Sequence, residues 1–259
     1  MIKHLSYSSL RTYLQCPRQF EYRYLKKLPA VLNGRLIAGR VYHHGVAHAL
    51  KSKMYGKLAK VEEVTDIMSD TWDAQLSEQV VYDELGEPKV EAKLVEWGDD
   101  EPGKLKDTII SLAKLYIVQE VPKLEPVAVE KRLDGIIGGI PFMGYPDCVL
   151  AHKGVIDHKF SSKRMSQENA DKDIQMSSYA TLLGGPIWCR FDQALDQKKL
   201  DINVVLTERS QSDINWFARL VEQAWQGIIS GIFPPNPLNW TCGEGQCSYF
   251  TECRVLMED

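Results

Sequence analysis

Two aspartates and a lysine in the middle of the chain constrain it most. Asp147 follows Gly144-Tyr-Pro and precedes Cys148-Val-Leu, while Asp157 follows Gly154-Val-Ile and is separated from Lys159 by His158 alone. Val149-Leu150 and Val155-Ile156 read as two short strands joined by Ala151-His-Lys-Gly154, whose glycine supplies the backbone freedom of a tight hairpin. Side chains alternate along a strand, so Asp157 and Lys159 share a face and His158 points away. Carboxylates on adjacent strands can hold one hard cation through oxygen, the ligand type that Mg2+ and Mn2+ prefer. A neighbouring ammonium can orient or deprotonate a water and offset charge developing on a phosphate, with the metal as Lewis acid. The pattern implies metal-assisted hydrolysis.

Two further elements belong with it. Gln175 and Tyr179 lie four apart in the segment Glu168 to Leu183, which has helical composition and no proline, so both fall on one face that can pack over the strands. Upstream, Gly39 to Leu50 reads as a helix with Gly39, His43 and Ala47 on one stripe, the glycine allowing close approach of another backbone. Glu130 ends an apolar run and is a candidate to point toward the same place. His44, His48, His152 and His158 read as surface or core residues without a functional role.

The set Gly39-x3-His43, Gly144-x2-Asp147, Asp157-x-Lys159 and Gln175-x3-Tyr179 resembles the RecB-like branch of the PD-(D/E)xK nuclease superfamily. The opening Leu5-Ser-Tyr-Ser-Ser-Leu10-x2-Tyr13-x2-Cys16-Pro17-x2-Phe20-x3-Tyr24 and the closing Cys242-x4-Cys247-x5-Cys253 look like the two ends of that branch's iron-sulfur members. These include CRISPR adaptation nucleases, AddB-type recombination nucleases and single-strand exonucleases. The resemblance implies that His43, Asp147 and Asp157 are ligands of Mg2+ or Mn2+, with the His158 carbonyl completing the shell, and that Lys159 is the catalytic lysine. It also implies that Gln175 and Tyr179 contact nucleic acid, and that Cys16, Cys242, Cys247 and Cys253 hold an iron-sulfur cluster. The four-residue gap after Cys242 departs from the two-residue gap of the family pattern.

Taken by themselves, four thiolates can hold zinc (Zn2+) or a cluster. Zinc favours paired short knuckles, whereas these cysteines are one plus three at opposite ends of the chain. Together with the resemblance, this split favours a 4Fe-4S cluster stapling the ends, worth about 4 to 5 kcal/mol by analogy with a disulfide closing so long a loop. Cys148 and Cys189 read as small buried apolar residues. Six cysteines in 259 residues are too few for a disulfide scaffold, no signal peptide precedes Ser6, and no apolar run nears the ~18 residues of a membrane span, so a cytoplasmic protein without membrane contact is expected.

The expected fold is α/β, a mixed central sheet flanked by helices, in one nuclease domain over 1–259. Its parts are N-terminal helices with the first cluster cysteine (1–34), a helical region (35–123), a catalytic sheet core (124–207) and a C-terminal helix with the cysteine cluster (208–259). Helices are expected over Ser8–Gln15, from Pro17, over Arg35–Lys53, Val61–Val80, Lys104–Val121 and Ser212–Ile232. Strands are expected over Ala128–Ile137, Ile140–Ala151, Val155–Phe160 and Asp201–Thr207, with the acidic block Glu78–Asp100 as a loop.

A net charge of −4 is unusual for a DNA-binding protein, so positive charge must be local, with Lys159, Lys163 and Arg164 or the run Arg11, Arg18, Arg23, Lys26 and Lys27 as candidates. The expected activity is a metal-dependent exonuclease on single-stranded DNA ends, with bases stacking on Tyr7, Tyr13 or Phe20. The alternatives are a structure-specific endonuclease and a non-catalytic iron-sulfur DNA-binding subunit. No Gly-x4-Gly-Lys-Ser/Thr is present, so unwinding would fall to a helicase partner.

Overall fold

In the computed structural model, which describes residues 2–77, 79–82, 88–91 and 95–255, a five-stranded mixed sheet carries the central third of the chain. Its strands are β1 (Pro126–Val129), β2 (Cys148–Leu150), β3 (Gly154–Ser161), β4 (Ile187–Leu195) and β5 (Asp201–Arg209), lying in chain order across the sheet. All neighbours are antiparallel except β3 and β4, which run parallel with Asp157 opposite Phe191. A parallel pair needs a long crossover. Here it is made by a short helix, Gln167–Lys172, and the helix Ile174–Leu182, and this lays Gln175 and Tyr179 over the site strands.

The longer helices among the described residues are α1 (Tyr7–Gln15), α2 (Gly34–Met54), α3 (Val61–Leu76), α4 (Pro102–Gln119), α5 (Ile174–Leu182) and α6 (Gln211–Ile229). The Asn33 side chain caps α2, which buries Ile37, Val41, Tyr42, Val46 and Leu50 against α3, α4 and the sheet. At Gly45 an added Cβ would lie 2.5 Å from Met68, so only glycine permits α2 and α3 to approach this closely. A capping box between Ser210 and Asp213 starts α6. Ile214, Phe217, Val221, Ala224 and Ile228 recur at helical spacing along its buried side.

A second, three-stranded sheet pairs Leu5–Ser6 in parallel with Ile140–Gly144, itself in a hairpin with Leu133–Ile137. The turn Gly138-Gly139 has both residues at positive φ, 57° and 78°, as a two-residue hairpin of this hand demands. α1 and α6 pack on this sheet through Leu10, Tyr13, Phe20, Phe142 and Phe217.

Several expectations are corrected. The segment Glu168–Leu183 is two helices, broken at Asp173, whose extended backbone (ψ 115°) lets its carboxylate cap α5 at Gln175 N. The expected strand Ala128–Ile137 breaks at Glu130, which has φ 51°, and Ile140–Ala151 breaks at Tyr145-Pro-Asp147. β4 has no counterpart among the expected strands. The acidic block contains strands Gln79–Tyr82 and Pro88–Glu91, and Val95–Glu96 pairs with Leu32–Asn33, while the rest of Glu78–Leu94 lies outside the described residues. Tyr13 and Phe20 are core residues in edge contact (ring centroids 5.5 Å apart) and are not free to stack on bases.

Candidate active site

Asp147 stands at the mouth of β2, in the stretch where Tyr145-Pro146 interrupts strand pairing. Its Oδ2 accepts the His158 backbone N–H at 2.6 Å, and its Oδ1 lies 3.3 Å from His43 Nδ1. Burial opposes ionisation of this carboxyl. The charge of His43 and the hydrogen bonds from His158 and His43 outweigh it and hold Asp147 well below the usual carboxylate range. His43 is correspondingly raised: its burial acts downward, but the Asp147 charge more than reverses that.

Asp157 is 2 % exposed in the middle of β3. Its Oδ2 makes a 2.6 Å ion pair with Lys159 Nζ, the one cation that meets this buried oxygen among the described residues. Burial, opposed by Lys159 and reinforced by Asp147, pushes its pKa up to about 6. Lys159 directs its hydrogen bond to Gln175 Oε1 at 2.7 Å. Burial acts against its charge, and Asp157 overcomes this, so its pKa is raised. The amide of Gln175 donates to Tyr179 Oη at 2.9 Å, and Tyr179 donates to the Tyr145 carbonyl at 3.1 Å. Gln175 and Tyr179 are both buried, so in this arrangement their contacts are with Lys159 and the chain rather than with solvent. Gly144 leaves room here, since an added Cβ would crowd Leu182 at 3.0 Å and Tyr179 at 3.3 Å.

Alternation along β3, the entry to β2 and the helices α2 and α5 together bring Asp147, Asp157, Lys159, His43, Gln175 and Tyr179 to one place. Gly39 does not serve as expected, because nothing lies within 4 Å of where its Cβ would be. Glu130 turns away to pair with Lys51 at 2.7 Å.

His158 has a larger part than its sequence position suggested. Its Nδ1 is 3.4 Å from Asp147 Oδ2, its Nε2 is 2.9 Å from Tyr116 Oη, and Tyr116 donates to Asp192 Oδ2 at 2.6 Å. Asp192 is held in turn by Arg190, which also reaches Glu120. This buried chain, contributed by β4 and α4, fixes Asp147 from behind. Its one sequence signal was the run Arg190-Phe-Asp192, which is polar at alternate positions in an apolar stretch.

Among the described residues, no three His, Cys, Asp or Glu side chains are already gathered as a group able to hold an ion. The carboxylates turn instead to Lys159 and to the two histidines. The donor set nevertheless suits a hard divalent cation: two carboxylates, the charge of Asp147 opposing ionisation of the buried Asp157, and an imidazole beside them.

The four terminal cysteines border a common cavity, although among the described residues they are not gathered as a group able to hold an ion. Cys16, Cys242, Cys247 and Cys253 line one cavity of about 120 Å³, all as free thiols. Burial raises Cys253, and the charges of Cys16, Cys242 and Cys247 add to it, as thiols within electrostatic reach of one another require. The tail is tied back by Asn236 and Asn239, which donate to the Gln15 carbonyl at 2.9 and 3.0 Å, and by Tyr249, which donates to the Leu28 carbonyl at 3.3 Å. Cys148 and Cys189 are buried in strands, as expected.

The PD-(D/E)XK nuclease superfamily model matches residues 4–254. The chain belongs to that superfamily, whose members are phosphodiester hydrolases. Its fold is similar to the solved structure of a "putative exonuclease" from Eubacterium rectale, at TM-score 0.58 and 12% identity, covering 98% of this chain and 88% of that one. A second solved structure, SSO0001, covers 95% of this chain and 94% of its own at 13% identity, but its TM-score of 0.35 is too low to carry an argument. Among curated proteins, no sequence matches. Among the described residues, no helix is long and apolar enough to cross a membrane.

Proposed function

We propose that this nuclease is a divalent-metal-dependent exonuclease that shortens single-stranded DNA ends. The reading rests most on Asp157, a buried carboxylate set near Asp147 and paired with a lysine that Gln175 aims. Lys159 offsets part of the cost of burying this carboxylate, but Asp147 acts against its ionisation, and a cation held by both carboxylates would offset that repulsion. His43, Asp147 and Asp157 would hold Mg2+ or Mn2+, which when bound would polarise the phosphate and acidify a water.

Lys159 would orient the attacking water and offset charge on the phosphoryl oxygens, with Gln175 and Tyr179 setting its position and reaching the substrate backbone through it. Cys16, Cys242, Cys247 and Cys253 would hold a 4Fe-4S cluster, or zinc by the same thiolates, as a structural staple. The chain lacks a phosphate-binding loop, so a helicase partner would supply unwound ends. The description of the Eubacterium rectale neighbour points toward exonuclease action as well.

Incubation with end-labelled linear and circular single strands plus Mn2+ tests the reading. Mononucleotide release from linear strands alone is the expected result. Cutting of circles would make the protein an endonuclease, and no cleavage of either would leave a non-catalytic binding subunit.

A further inference from the structure

An open groove of about 480 Å³ begins at Lys159 and runs away from the carboxylates between α1, the loop 161–165 after β3, and the start of α5. Four more cations line it, and they are not equivalent. Arg164 is taken up by Asp201 and Asn203, and Lys172 by Glu168. Among the described residues, Arg11 and Lys163 have no carboxylate partner, although both are exposed and the chain carries an acidic excess.

Each sits on a rigid mount. Arg11 is four residues after Tyr7, so the two share one side of α1, while Leu10 and Tyr13 bury the other. The backbone of Lys163 is held by Ser161 Oγ (3.0 Å) and by Gln193, which is 3 % exposed and donates to the Lys163 carbonyl at 2.6 Å while accepting from Met165 N at 2.8 Å. A buried glutamine is thus committed to fixing a loop that presents an unpaired lysine.

Tyr7 lines the groove too, within electrostatic reach of Asp157, Lys159, Arg11 and Asp173. The groove's one carboxylate, Asp173, is engaged as the α5 cap and repels anions from that corner. This leaves the Arg11 and Lys163 side for a phosphate.

We infer that this groove seats the nucleotide adjoining the scissile phosphate, its own phosphate between Arg11 and Lys163 and its base or sugar against the Tyr7 ring. The inference deepens the nuclease reading and rests on it for which bond is cut, but binding itself can be measured without cleavage. Net charge plays no part in this scheme, because two fixed, unpaired cations supply the attraction locally.

The test is fluorescence anisotropy of a labelled single strand of about twelve thymidines, without divalent metal, over a salt series. Arg11→Ala and Lys163→Ala should each weaken binding about five- to tenfold, and removing both should flatten the salt slope by about 0.7, the contribution of one phosphate on a single strand. Tyr7→Ala should weaken it about tenfold, with Tyr7→Phe retaining affinity because the ring and not the hydroxyl is used. Lys172→Ala, whose ammonium is already paired, should stay within about twofold.

With Mn2+ present, the Arg11/Lys163 double variant should raise KM while kcat stays within about threefold. Wild-type binding with no change in these variants, or no binding by the wild type, overturns the groove. If the double variant cleaves with unchanged KM, the groove fails and the nuclease reading stands. If the wild type binds with the expected slope yet never cleaves, the groove stands and the nuclease reading fails.

Discussion

Replacing Asp157 with asparagine should separate the chemistry of the site from the stability of the fold. Asp157 is 2 % exposed, and burial raises its pKa from the ordinary 3.8 to about 6. A folded-state value above the unfolded one means that the native protein holds this proton more tightly. Stability is therefore fully present at low pH and is lost as pH rises through about 6. The loss reaches about 3 kcal/mol at most, of which about 2 falls between about pH 4.5 and pH 7.

Asparagine does not titrate, so Asp157→Asn escapes this loss. Relative to the parent, the metal-free variant should become more stable with rising pH by about 2 kcal/mol over that window, less whatever Lys159 forfeits with its carboxylate partner. Lys159 keeps its bond to Gln175, and its side chain is 30% exposed, which limits that forfeit. Urea melts of both proteins in chelator at the two pH values give the difference directly. In the same pair, nuclease activity should fall about a thousandfold or more, and Mn2+ should raise the melting temperature of the parent only. A variant that loses stability relative to the parent as pH rises would mean that ionised Asp157 is a structural partner of Lys159, and the metal-ligand argument would collapse.

Four other perturbations probe the same geometry. Lys159→Ala should reduce cleavage to about a thousandth and, by taking the ion-pair partner from buried Asp157, should also lower the melting temperature; a variant keeping more than about a tenth of activity would refute its role. Tyr116→Phe should release His158, cost about 1 to 3 kcal/mol, and raise the Mn2+ concentration for half-maximal activity; unchanged metal demand would reduce the buried chain to packing. Protein purified without oxygen should be brown, with absorbance near ~400 nm and about four irons. Cys16→Ser or Cys253→Ser should bleach it while Cys148→Ser does not, and colourless protein with one zinc would keep the staple but replace the cluster. Ca2+ should suppress Mn2+-dependent cleavage, which competition assays would read as a rise in apparent Mn2+ requirement.

Local rules made much of this protein legible in its sequence. Alternation along β3 put Asp157 and Lys159 on one face, four-residue spacing put Gln175 under Tyr179, and Pro17 after Cys16 began a new helix, because each of these depends only on neighbours in the chain. What escaped was long-range. β4 is buried between β3 and β5, and its run of mixed residues from Ile187 to Leu195 shows no clean period that would betray a strand.

His158, one step off the face that carries Asp157 and Lys159, gained its role only when α4 brought Tyr116 and β4 brought Asp192 to it. The end of the helix before Gln175 was set by Asp173 capping α5, a competition that composition alone could not decide. Likewise Arg11 and Lys163 were two cations among many until the fold paired Arg18 and Lys26 with Glu21, and Arg164 with Asp201. Sequence supplied the reactive groups and their local order. The tertiary structure decided which of them share one site and which charges stay unpaired, because burial and pairing are properties of what packs alongside.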